Sequence, residues 1–245
     1  MMRVLELFSG TCSVGKCCDA LGWESVSVDL LLEADFKCDI MDFDYKQFPI
    51  DHFDIIWASP PCTFYSNLQN CWIGRKRADG VVVSKEWIEE QRKESDKLIE
   101  RTLEIINYFK PELWFMENPQ RGALKDREVV KGLPFYDVDY CMYSDWGYQK
   151  RTRIWTNKKW AFKPLLCDKS GACGNMIFVK NQRKHKLDVA KDVHTVGEKK
   201  GKHKKGIGLG KKQTDAGQIS VKGGGTNRLD RYRIPEELIY SLFFD

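Results

Sequence analysis

Three groups of residues in this chain have the types and spacing that chemistry on a pyrimidine ring requires. Ser59-Pro60-Pro61-Cys62 ends a short apolar run, Glu117-Asn118 follows a second such run, and Gln149-Lys150-Arg151-Thr152-Arg153 comes just before a third. A thiol is a nucleophile, a carboxyl can donate a proton, and paired guanidinium groups bind carbonyl or phosphate oxygens. Strand ends are also where ligands bind in parallel sheets. The pattern therefore indicates a base-modifying enzyme.

Cys62 is the candidate nucleophile. The two prolines before it fix φ and remove backbone donors, so the strand should leave the sheet in a rigid turn that projects Cys62 into a cleft. A helix N-terminus or a nearby arginine would lower its pKa. A buried, inert cysteine is the alternative for any single cysteine, but the diproline setting and the two later motifs favour a nucleophile.

Glu117 and the two arginines are the candidate acid and oxygen-binding groups. Glu117 ends an apolar strand and could donate a proton if its surroundings raise its pKa; a capping or ion-pairing glutamate is the alternative. Arg151 and Arg153 alternate in sequence, so in a strand they share a face with Gln149. That face would bind carbonyl or phosphate oxygens, unless it belongs to a solvated edge strand.

A nucleotide-type cofactor site is predicted between the first strand and the first helix. Its turn contains Phe8, Ser9, Gly10, Thr11 and Cys12. Helix-start amides and small residues there would let a ligand approach the backbone. Asp29 follows about twenty residues later, at the end of the next strand, where a carboxylate could bind ribose hydroxyls. Asp39, near the predicted end of the third strand, could face an adenine amino group.

The elements that must position these residues alternate along the chain. Strands are predicted at 4–8, 24–28, 53–58 and 113–116, and helices at 13–21, 84–109 and 235–243. Such alternation predicts a Rossmann-like α/β fold, with a mostly parallel sheet and helices on both faces. We expect a catalytic domain at 1–162, a small irregular basic lobe at 163–225, and a segment at 226–245 that returns to the catalytic domain.

Composition is consistent with that organisation. A chain of 245 residues, 42% hydrophobic, can bury the core of one α/β domain with a small appendage. No run approaches the roughly 18 to 20 apolar residues of a membrane span, so we expect an intracellular protein without membrane association. Several of the nine cysteines lie inside predicted helices and strands, which favours reduced thiols over a disulfide framework.

The basic character is concentrated in one segment. Residues 180–212 hold 12 Lys and Arg against 3 acidic residues, a local charge of +9, whereas the rest of the chain carries −4. A positive stripe on a near-neutral body favours a polyanionic partner, because binding releases counterions from phosphates. A solvated lysine-rich loop without a partner is the alternative.

Zinc is a second possibility in the small lobe. Cys167 and Cys173, with His185, His194 and His203 beyond them, could supply ligands. Their spacing matches no paired Cys-x-x-Cys signature, so the sequence favours an ordinary turn and predicts no metal site.

The ordered motifs resemble those of the DNA cytosine carbon-5 methyltransferases, especially the compact kind carried by phages and other viruses. The resemblance covers roughly residues 3–160 and 228–243. It rests on Phe8 with Gly10, Pro61-Cys62, Glu117-Asn118, and Gln149-x-Arg151-x-Arg153. Each motif alone is common, but all four in this order and spacing are not.

The resemblance implies S-adenosylmethionine as methyl donor and a cytosine swung out of double-stranded DNA. Cys62 would attack carbon 6, Glu117 would protonate or hydrogen-bond nitrogen 3, and segment 63–77 would close over the base. Arg151 and Arg153 would hold the cytosine carbonyl and the DNA backbone. The implied donor-binding residues are Phe8, Ser9, Gly10, Thr11, Cys12, Asp29, Asp39 and Pro60. The implied DNA-binding residues are Ser66, Asn118, Gln149, Lys184, Lys204 and Lys205, and a monomer is favoured.

Three departures from the family pattern leave different functions open. Cys12 and Ser13 stand where glycines are usual, Pro119 follows Glu117-Asn118, and the chain stops at Asp245 without a final Gly-Asn motif. A catalytically silent nucleic-acid-binding decoy would fit weakened donor binding. Methylation of an exocyclic base nitrogen and methylation of cytosine in RNA also stay open, although exocyclic methylation normally places an aromatic residue where Cys62 stands.

Overall fold

The computed structural model describes residues 1–159, 162–179, 181–192, 225–226 and 229–244. The main sheet has six strands: β1 (Arg3–Leu7), β2 (Glu24–Val28), β3 (Ile55–Ala58), β4 (Leu113–Pro119), β5 (Phe135–Asp139) and β6 (Arg151–Thr156). Their spatial order is β2-β1-β3-β4-β6-β5. Strand β6 runs antiparallel to both neighbours, and the other pairings are parallel. The predicted Rossmann-like, mostly parallel sheet is confirmed.

Helices cover both faces of this sheet, as the sequence predicts. They are α1 (Ser13–Leu21), α2 (Lys85–Phe109) and α3 (Glu236–Phe244). Because successive strand residues point to opposite faces, Ile55 packs in the core with α1 and α3, whereas Ile56 packs in the core with α2. Each face thus has its own apolar layer, and the carboxyl ends of β1, β3 and β4 remain as a common edge.

Helix α2 forms as its sequence signals indicate. The Ser84 hydroxyl accepts a hydrogen bond from the backbone N–H of Trp87, at 3.1 Å, which satisfies one of the free amides at the helix start. Ile88, Ile99 and Ile106 recur on the buried face, and the helix ends at Lys110 in a left-handed conformation with φ of 50°. The predicted helix at 84–109 therefore matches α2.

Helices α1 and α3 lie side by side although they are far apart in sequence. The Ser13 hydroxyl, at the start of α1, accepts a hydrogen bond at 3.1 Å from the backbone N–H of Ile234, just before α3. Trp23 stacks on Phe243 with ring centroids 5.5 Å apart. The C-terminal segment thus returns to the first strand-helix unit.

Three elements differ from the sequence-based expectations. Strand β5 was not predicted, and β6 reverses the strand direction. The small lobe, expected to be irregular, contains a hairpin of β7 (Met176–Val179) and β8 (Gln182–His185), and a parallel pair of β9 (Asp188–Asp192) and β10 (Gly225–Thr226). β7 is a run of only four apolar residues, and β8, β9 and β10 are short and largely polar, so none of them has the alternation of apolar and polar residues that predicts a strand.

The expected position of Asp39 was wrong. Asp39 lies in the irregular crossover between β2 and β3, well before β3 begins at Ile55, and its carboxylate accepts a hydrogen bond from the Met41 backbone N–H. This crossover holds one 3-10 turn, Tyr45–Gln47, in place of a helix. In the part of the chain that the structure describes, no helix is long and apolar enough to cross a membrane.

Glu6 is a buried carboxyl in β1 that caps the neighbouring helix. Its two oxygens accept hydrogen bonds from the backbone N–H groups of Val14 (3.2 Å) and Gly15 (2.9 Å), in the first turn of α1. Cys12, at the cap position, has a left-handed φ of 52° and makes no side-chain cap bond. Burial raises the pKa of Glu6 to about 7, although the two amide bonds act in the opposite direction.

We expect this carboxyl to reduce the free energy of unfolding as pH rises from about 4.5 to about 7. Its folded pKa is raised, so the stabilising contribution is complete below the unfolded value and is lost as pH passes the folded value. The change is on the order of 3 kcal/mol. Urea unfolding of Glu6→Gln should give a flatter pH profile in this range than the unaltered protein. The exposed Glu24→Gln is the control, and parallel profiles for all three would contradict the assignment.

Candidate active site

Strand β4, the neighbour of β3 in the sheet, fixes the diproline turn to the edge of the sheet. The side-chain amide of Asn118, near the end of β4, donates a hydrogen bond to the carbonyl of Pro60 at 2.9 Å. Asn118 is fully buried. On the other side, the backbone N–H of Ser59 bonds the carbonyl of Leu7 at 3.1 Å. Cys62 therefore starts from a rigid corner at the carboxyl edge of β3.

The chain after Cys62 is anchored by Tyr65. The Tyr65 side chain is fully buried and its hydroxyl donates to Asp96 on α2, at 2.8 Å. Its carbonyl accepts from the Ala123 backbone N–H at 2.7 Å. Gly122 suits this close approach, because a Cβ there would lie 3.1 Å from the carbonyl oxygen of Pro119. The beginning of segment 63–77 is thus held in place.

Beyond Tyr65 the same segment is largely exposed. The Ser66 hydroxyl caps a 3-10 helix, Asn67–Trp72, by accepting a hydrogen bond from the Leu68 backbone N–H at 3.3 Å. The side chains of Leu68 and Trp72 are exposed by half or more, at 59% and 50%. Apolar side chains presented to solvent beside Cys62 suit a segment that changes its surroundings when substrate binds.

Glu117 sits in a buried cluster with a cation and a phenol. Its Oε1 accepts a hydrogen bond from the Tyr140 hydroxyl at 3.0 Å and pairs with Lys150 Nζ at 3.1 Å. Lys150 Nζ also donates to the carbonyl of Arg231 at 3.0 Å. Among the described residues no hydrogen bond is made to Oε2 of Glu117. One carboxylate oxygen is therefore occupied and the other remains for a ligand.

The Cys62 thiol lies in the electrostatic field of this cluster. Burial raises its pKa, Glu117 raises it further, and Lys150 lowers it without offsetting the burial. The sequence predicted that a helix N-terminus or an arginine would lower the pKa of Cys62. The group that lowers it is instead Lys150, and the net shift is upward. In the absence of substrate Cys62 is consequently a thiol.

Arg151 and Arg153 are both paired with acidic residues of the adjacent strand. Arg151 bonds Asp139 through two nitrogens at 3.1 and 2.6 Å, and Arg153 bonds Asp137 through two at 2.7 and 2.9 Å. The register places Ile154 opposite Glu117 and Arg153 opposite Asn118. Because opposed residues share a face and successive ones alternate, both arginines project from the face opposite to that of Glu117.

The turn between β1 and α1 combines strained backbone with an unpaired hydroxyl. Phe8 and Cys12, like Gly10, have left-handed backbones, with φ of 56°, 52° and 56°. The Ser9 hydroxyl is buried and has no hydrogen-bond partner. Asp29 accepts a hydrogen bond from the Gly10 backbone N–H at 2.9 Å, so the ends of β1 and β2 meet here.

Two details of this turn differ from the sequence-based picture. The amides of Val14 and Gly15 at the start of α1 are bonded to Glu6 and are not available to a ligand. The second oxygen of Asp29 accepts the backbone N–H groups of Leu31 and Leu32, each at 2.8 Å. The Thr11 and Ser13 hydroxyls bond each other at 3.2 Å.

The structure brings together Cys62 and Glu117, with Asn118 and Pro60 joining the segments that carry them. The remaining predicted residues are more scattered. Gln149 is half-buried just before β6, and Lys184 is exposed on β8. Lys204 and Lys205 lie outside the described residues. The burial of Asn118 suits a role in holding the diproline turn better than the predicted contact with DNA.

Sequence reasoning missed Lys150 and Tyr140. Lys150 lies between Gln149 and Arg151, so alternation alone would have placed it on the face opposite to the arginines. In the structure this is the face of Glu117. Tyr140 follows β5, which the sequence did not reveal. It contacts Lys150, whose Nζ lies 4.7 Å from the centroid of its ring.

Comparison with known proteins identifies a relative that covers almost the whole chain. No protein-family model matches the chain. A protein described as a probable DNA (cytosine-5)-methyltransferase of Frog virus 3 (isolate Goorha) is 37% identical over 243 residues, which is 98% of each chain.

Two solved structures are similar at lower identity. One is a putative DNA modification methyltransferase encoded within an E. coli prophage, with 14% identity, 69% of this chain covered and a TM-score of 0.43. The other is the S. pombe Dnmt2 methyltransferase, with 16% identity, 65% of this chain covered and a TM-score of 0.32. The matched region spans about half of each solved chain, 52% and 51%.

We expect Lys150→Met and Glu117→Gln to change the reactivity of Cys62 in opposite directions. Removing the lysine removes the charge that lowers the thiol pKa, and removing the glutamate charge removes one that raises it. Below the pKa, a change of one unit alters the thiolate fraction about tenfold. Iodoacetamide labelling at pH 8, followed by peptide mass spectrometry, should show slower labelling of Cys62 in Lys150→Met and faster labelling in Glu117→Gln.

The exposed Cys71 provides the internal control, and its labelling rate should be the same in all three proteins. Equal rates at Cys62 in the two variants would show that the thiol lies outside the field of the cluster.

Proposed function

Since the chain belongs to the DNA (cytosine-5)-methyltransferase family, we propose that it transfers a methyl group to carbon 5 of cytosine in DNA. The observation that carries the mechanism is the position of the Cys62 thiol within the field of Glu117 and Lys150. A nucleophile and a carboxyl that share one environment can act on opposite sides of a single pyrimidine ring. The target base has to leave the duplex to reach them.

Cys62 forms the covalent bond. Its proton is lost and the sulfur bonds carbon 6 of cytosine, which breaks the aromaticity of the ring. Because burial raises the pKa of Cys62, the thiolate is formed at the moment of attack and is stabilised by the ammonium group of Lys150. The rigid corner made by the prolines holds the sulfur in place while this happens.

Glu117 keeps negative charge from accumulating on the ring. Tyr140 and Lys150 hold Oε1 from two directions, which orients the carboxyl group and leaves Oε2 for nitrogen 3 of cytosine. The proton that Cys62 releases reaches nitrogen 3 through Oε2 of Glu117 as the sulfur attacks, so the adduct is neutral. Carbon 5 then has the electron density of an enamine and accepts the methyl group.

The adduct resolves without loss of the new methyl group. A base removes the proton from carbon 5, the bond between carbon 6 and sulfur breaks, and the electron pair of that bond returns to Cys62. Nitrogen 3 gives back its proton, and the ring regains aromaticity. The products are 5-methylcytosine and the free thiol.

The turn between β1 and α1 fits S-adenosylmethionine as the donor. The buried Ser9 hydroxyl has no protein partner, and the left-handed backbone at Phe8 and Gly10 turns the chain at the strand end. When bound, the donor supplies an electrophilic methyl group. Phe8, Ser9 and Gly10 would line its site, with Thr11, Cys12, Asp29 and Pro60 around it.

Arg151 and Arg153 would hold the DNA backbone. They project from the face opposite to that of Glu117, which suits phosphate contacts better than the predicted contact with the cytosine carbonyl. Their pairing with Asp139 and Asp137 fixes each guanidinium plane and leaves further N–H groups free to donate. An arginine that is already oriented loses less conformational entropy on binding. These positions lie at the end of β6 that adjoins Pro119, the edge where Cys62 also lies.

Double-stranded DNA would lie across the catalytic domain and the basic lobe. We assign 1–162 to the catalytic domain, 163–225 to a target-recognition lobe, and 226–245 to the returning segment. Lys184 is exposed on β8, Gln149 comes just before β6, and Ser66 follows Cys62 by four residues. The lysines of segment 180–212 would contribute mainly through phosphate contacts, which carry affinity rather than sequence preference.

The primary test is the product formed in the presence of DNA and donor. We expect 5-methylcytosine in the unaltered protein and a loss of about a thousandfold or more in Cys62→Ser, because the nucleophile is removed. Nucleoside mass spectrometry identifies the methylated base. The control is Cys38→Ala, which removes a thiol outside the proposed site and should retain activity. Methyl groups on an exocyclic nitrogen, or undiminished product from Cys62→Ser, would contradict the proposal.

The covalent step has a test of its own. In DNA containing 5-fluorocytosine the base cannot remove fluorine as a proton is removed, so the adduct should persist after methyl transfer. We expect a complex resistant to denaturant that requires the donor and maps to the Cys62 peptide. No measurable donor binding by calorimetry, with DNA affinity intact and with no adduct and no product, would instead favour a catalytically silent nucleic-acid-binding protein.

A further inference from the structure

Four side chains outside the proposed active site converge where the main sheet meets the small lobe. They are Cys141, Cys167, Cys173 and His185, and their potential ligand atoms all lie within 4.8 Å of one another. The Nε2 atom of His185 lies 3.6 Å from the sulfur of Cys167 and 3.7 Å from that of Cys173. Cys141 and Cys167 are buried, and Cys173 is half-buried.

We propose that these residues bind one Zn²⁺ ion in a closed, structural site. A tetrahedral zinc with bonds of about 2.3 Å to sulfur and about 2.0 Å to nitrogen requires sulfur and nitrogen atoms about 3.5 Å apart. The two separations measured here match that value. Three thiolates and an imidazole are soft or borderline ligands that select zinc over magnesium or calcium. Four protein ligands leave no open position for a substrate.

The ligands come from three separate elements. Cys141 lies in the 3-10 turn Tyr140–Met142, directly after β5, and His185 is the last residue of β8. Cys167 and Cys173 enclose a loop in which Lys169 and Gly171 have left-handed backbones, with φ of 65° and 109°. A loop that folds back on itself in this way brings two thiols to one point.

Asn175 fixes the backbone of the ligand-bearing segments independently of any metal. Its side-chain amide nitrogen shares its two N–H groups among the carbonyls of Cys141, Ser144 and Cys173, at 2.9, 2.7 and 3.0 Å. Its amide oxygen accepts from the Gly147 backbone N–H at 3.0 Å. Asn175 is 1% exposed. The thiols of two distant segments are therefore held together by a built framework, as a preorganised metal site requires.

The proposed ion would connect the lobe to the arginine pair. One oxygen of Asp139 accepts both the backbone N–H of Cys167, at 2.8 Å, and a guanidinium nitrogen of Arg151, at 2.6 Å. Cys141 is two residues from Asp139. If Cys141 and Cys167 are bound to one ion, the Asp139 carboxylate that orients Arg151 is held in place as well. Groups that contact metal ligands without binding the metal are commonly ordered in this way. The site itself does not rest on the proposed methyl transfer.

Sequence analysis identified three of these four residues as candidate ligands, but it predicted no metal site. Cys167, Cys173 and His185 were candidate ligands, but the expectation of no metal rested on the absence of a paired motif. The missing thiol, Cys141, lies in the catalytic domain rather than in the lobe. His194 and His203, which were also candidate ligands, lie outside the described residues.

Metal content of the whole protein tests the proposal. Protein purified without chelator and with zinc in the medium should contain about one equivalent of zinc per chain by plasma mass spectrometry. His185→Ala should retain less than a fifth of that amount. His185→Cys replaces nitrogen by a fourth thiolate and should retain all of it, and the exposed Cys71→Ser is the matched control.

Cobalt provides a second readout, which begins with the unaltered protein and extends to one thiol variant. Exchange of Co²⁺ into the unaltered protein should give the visible absorption of a tetrahedral site with sulfur-to-cobalt charge transfer. The charge-transfer intensity should fall by about a third in Cys141→Ser, which loses one of three thiolates. Two results would overturn the proposal: less than about 0.1 equivalents of zinc on unaltered folded protein after zinc addition, or full zinc content in both His185→Ala and Cys141→Ser.

Discussion

The buried ion pair between Lys150 and Glu117 is the interaction on which the site depends. It joins the end of β4 to the residue before β6, and through the carbonyl of Arg231 it reaches the C-terminal segment. A buried charge that loses its partner is costly, because neither water nor another group replaces the lost interaction. The Tyr140 hydroxyl completes the environment of the carboxylate. The same pair contributes to the electrostatic field around Cys62.

Local signals were sufficient to predict several elements closely. The predicted helix at 13–21 and the predicted strand at 24–28 coincide with α1 and β2, and Gly22 with its left-handed φ of 68° separates them. Ser84 marks the start of α2. Each of these signals involves residues a few positions apart. The direction of β6 and the existence of β5 depend instead on pairing between distant strands, such as Asp139 with Arg151. Nothing in the local sequence specifies that pairing.

The chemistry of the site also divides into features that local sequence predicts and features that depend on distant residues. The sequence motif correctly placed Cys62 after a turn. The pKa of its thiol, however, depends on how deeply the thiol is buried and on which charges lie nearby. The arginines were recognised by their spacing, whereas their partners Asp137 and Asp139 belong to the strand that was missed. In the same way, the candidate zinc ligands were incomplete because Cys141 comes from another element. Residue types indicate which reactions are possible, and three-dimensional packing decides which groups perform them.

The pairing of α1 with α3 bears on how this protein is made. Ser13 and Ile234 are 221 positions apart, yet their hydrogen bond and the stacking of Trp23 on Phe243 complete one of the two apolar layers. While the ribosome is still working, the apolar side of α1 has no cover, and contacts between such remote segments form slowly. The half of the molecule that contains β1, β2 and α1 therefore matures only after translation has passed α3. A nascent chain needs protection from aggregation until then.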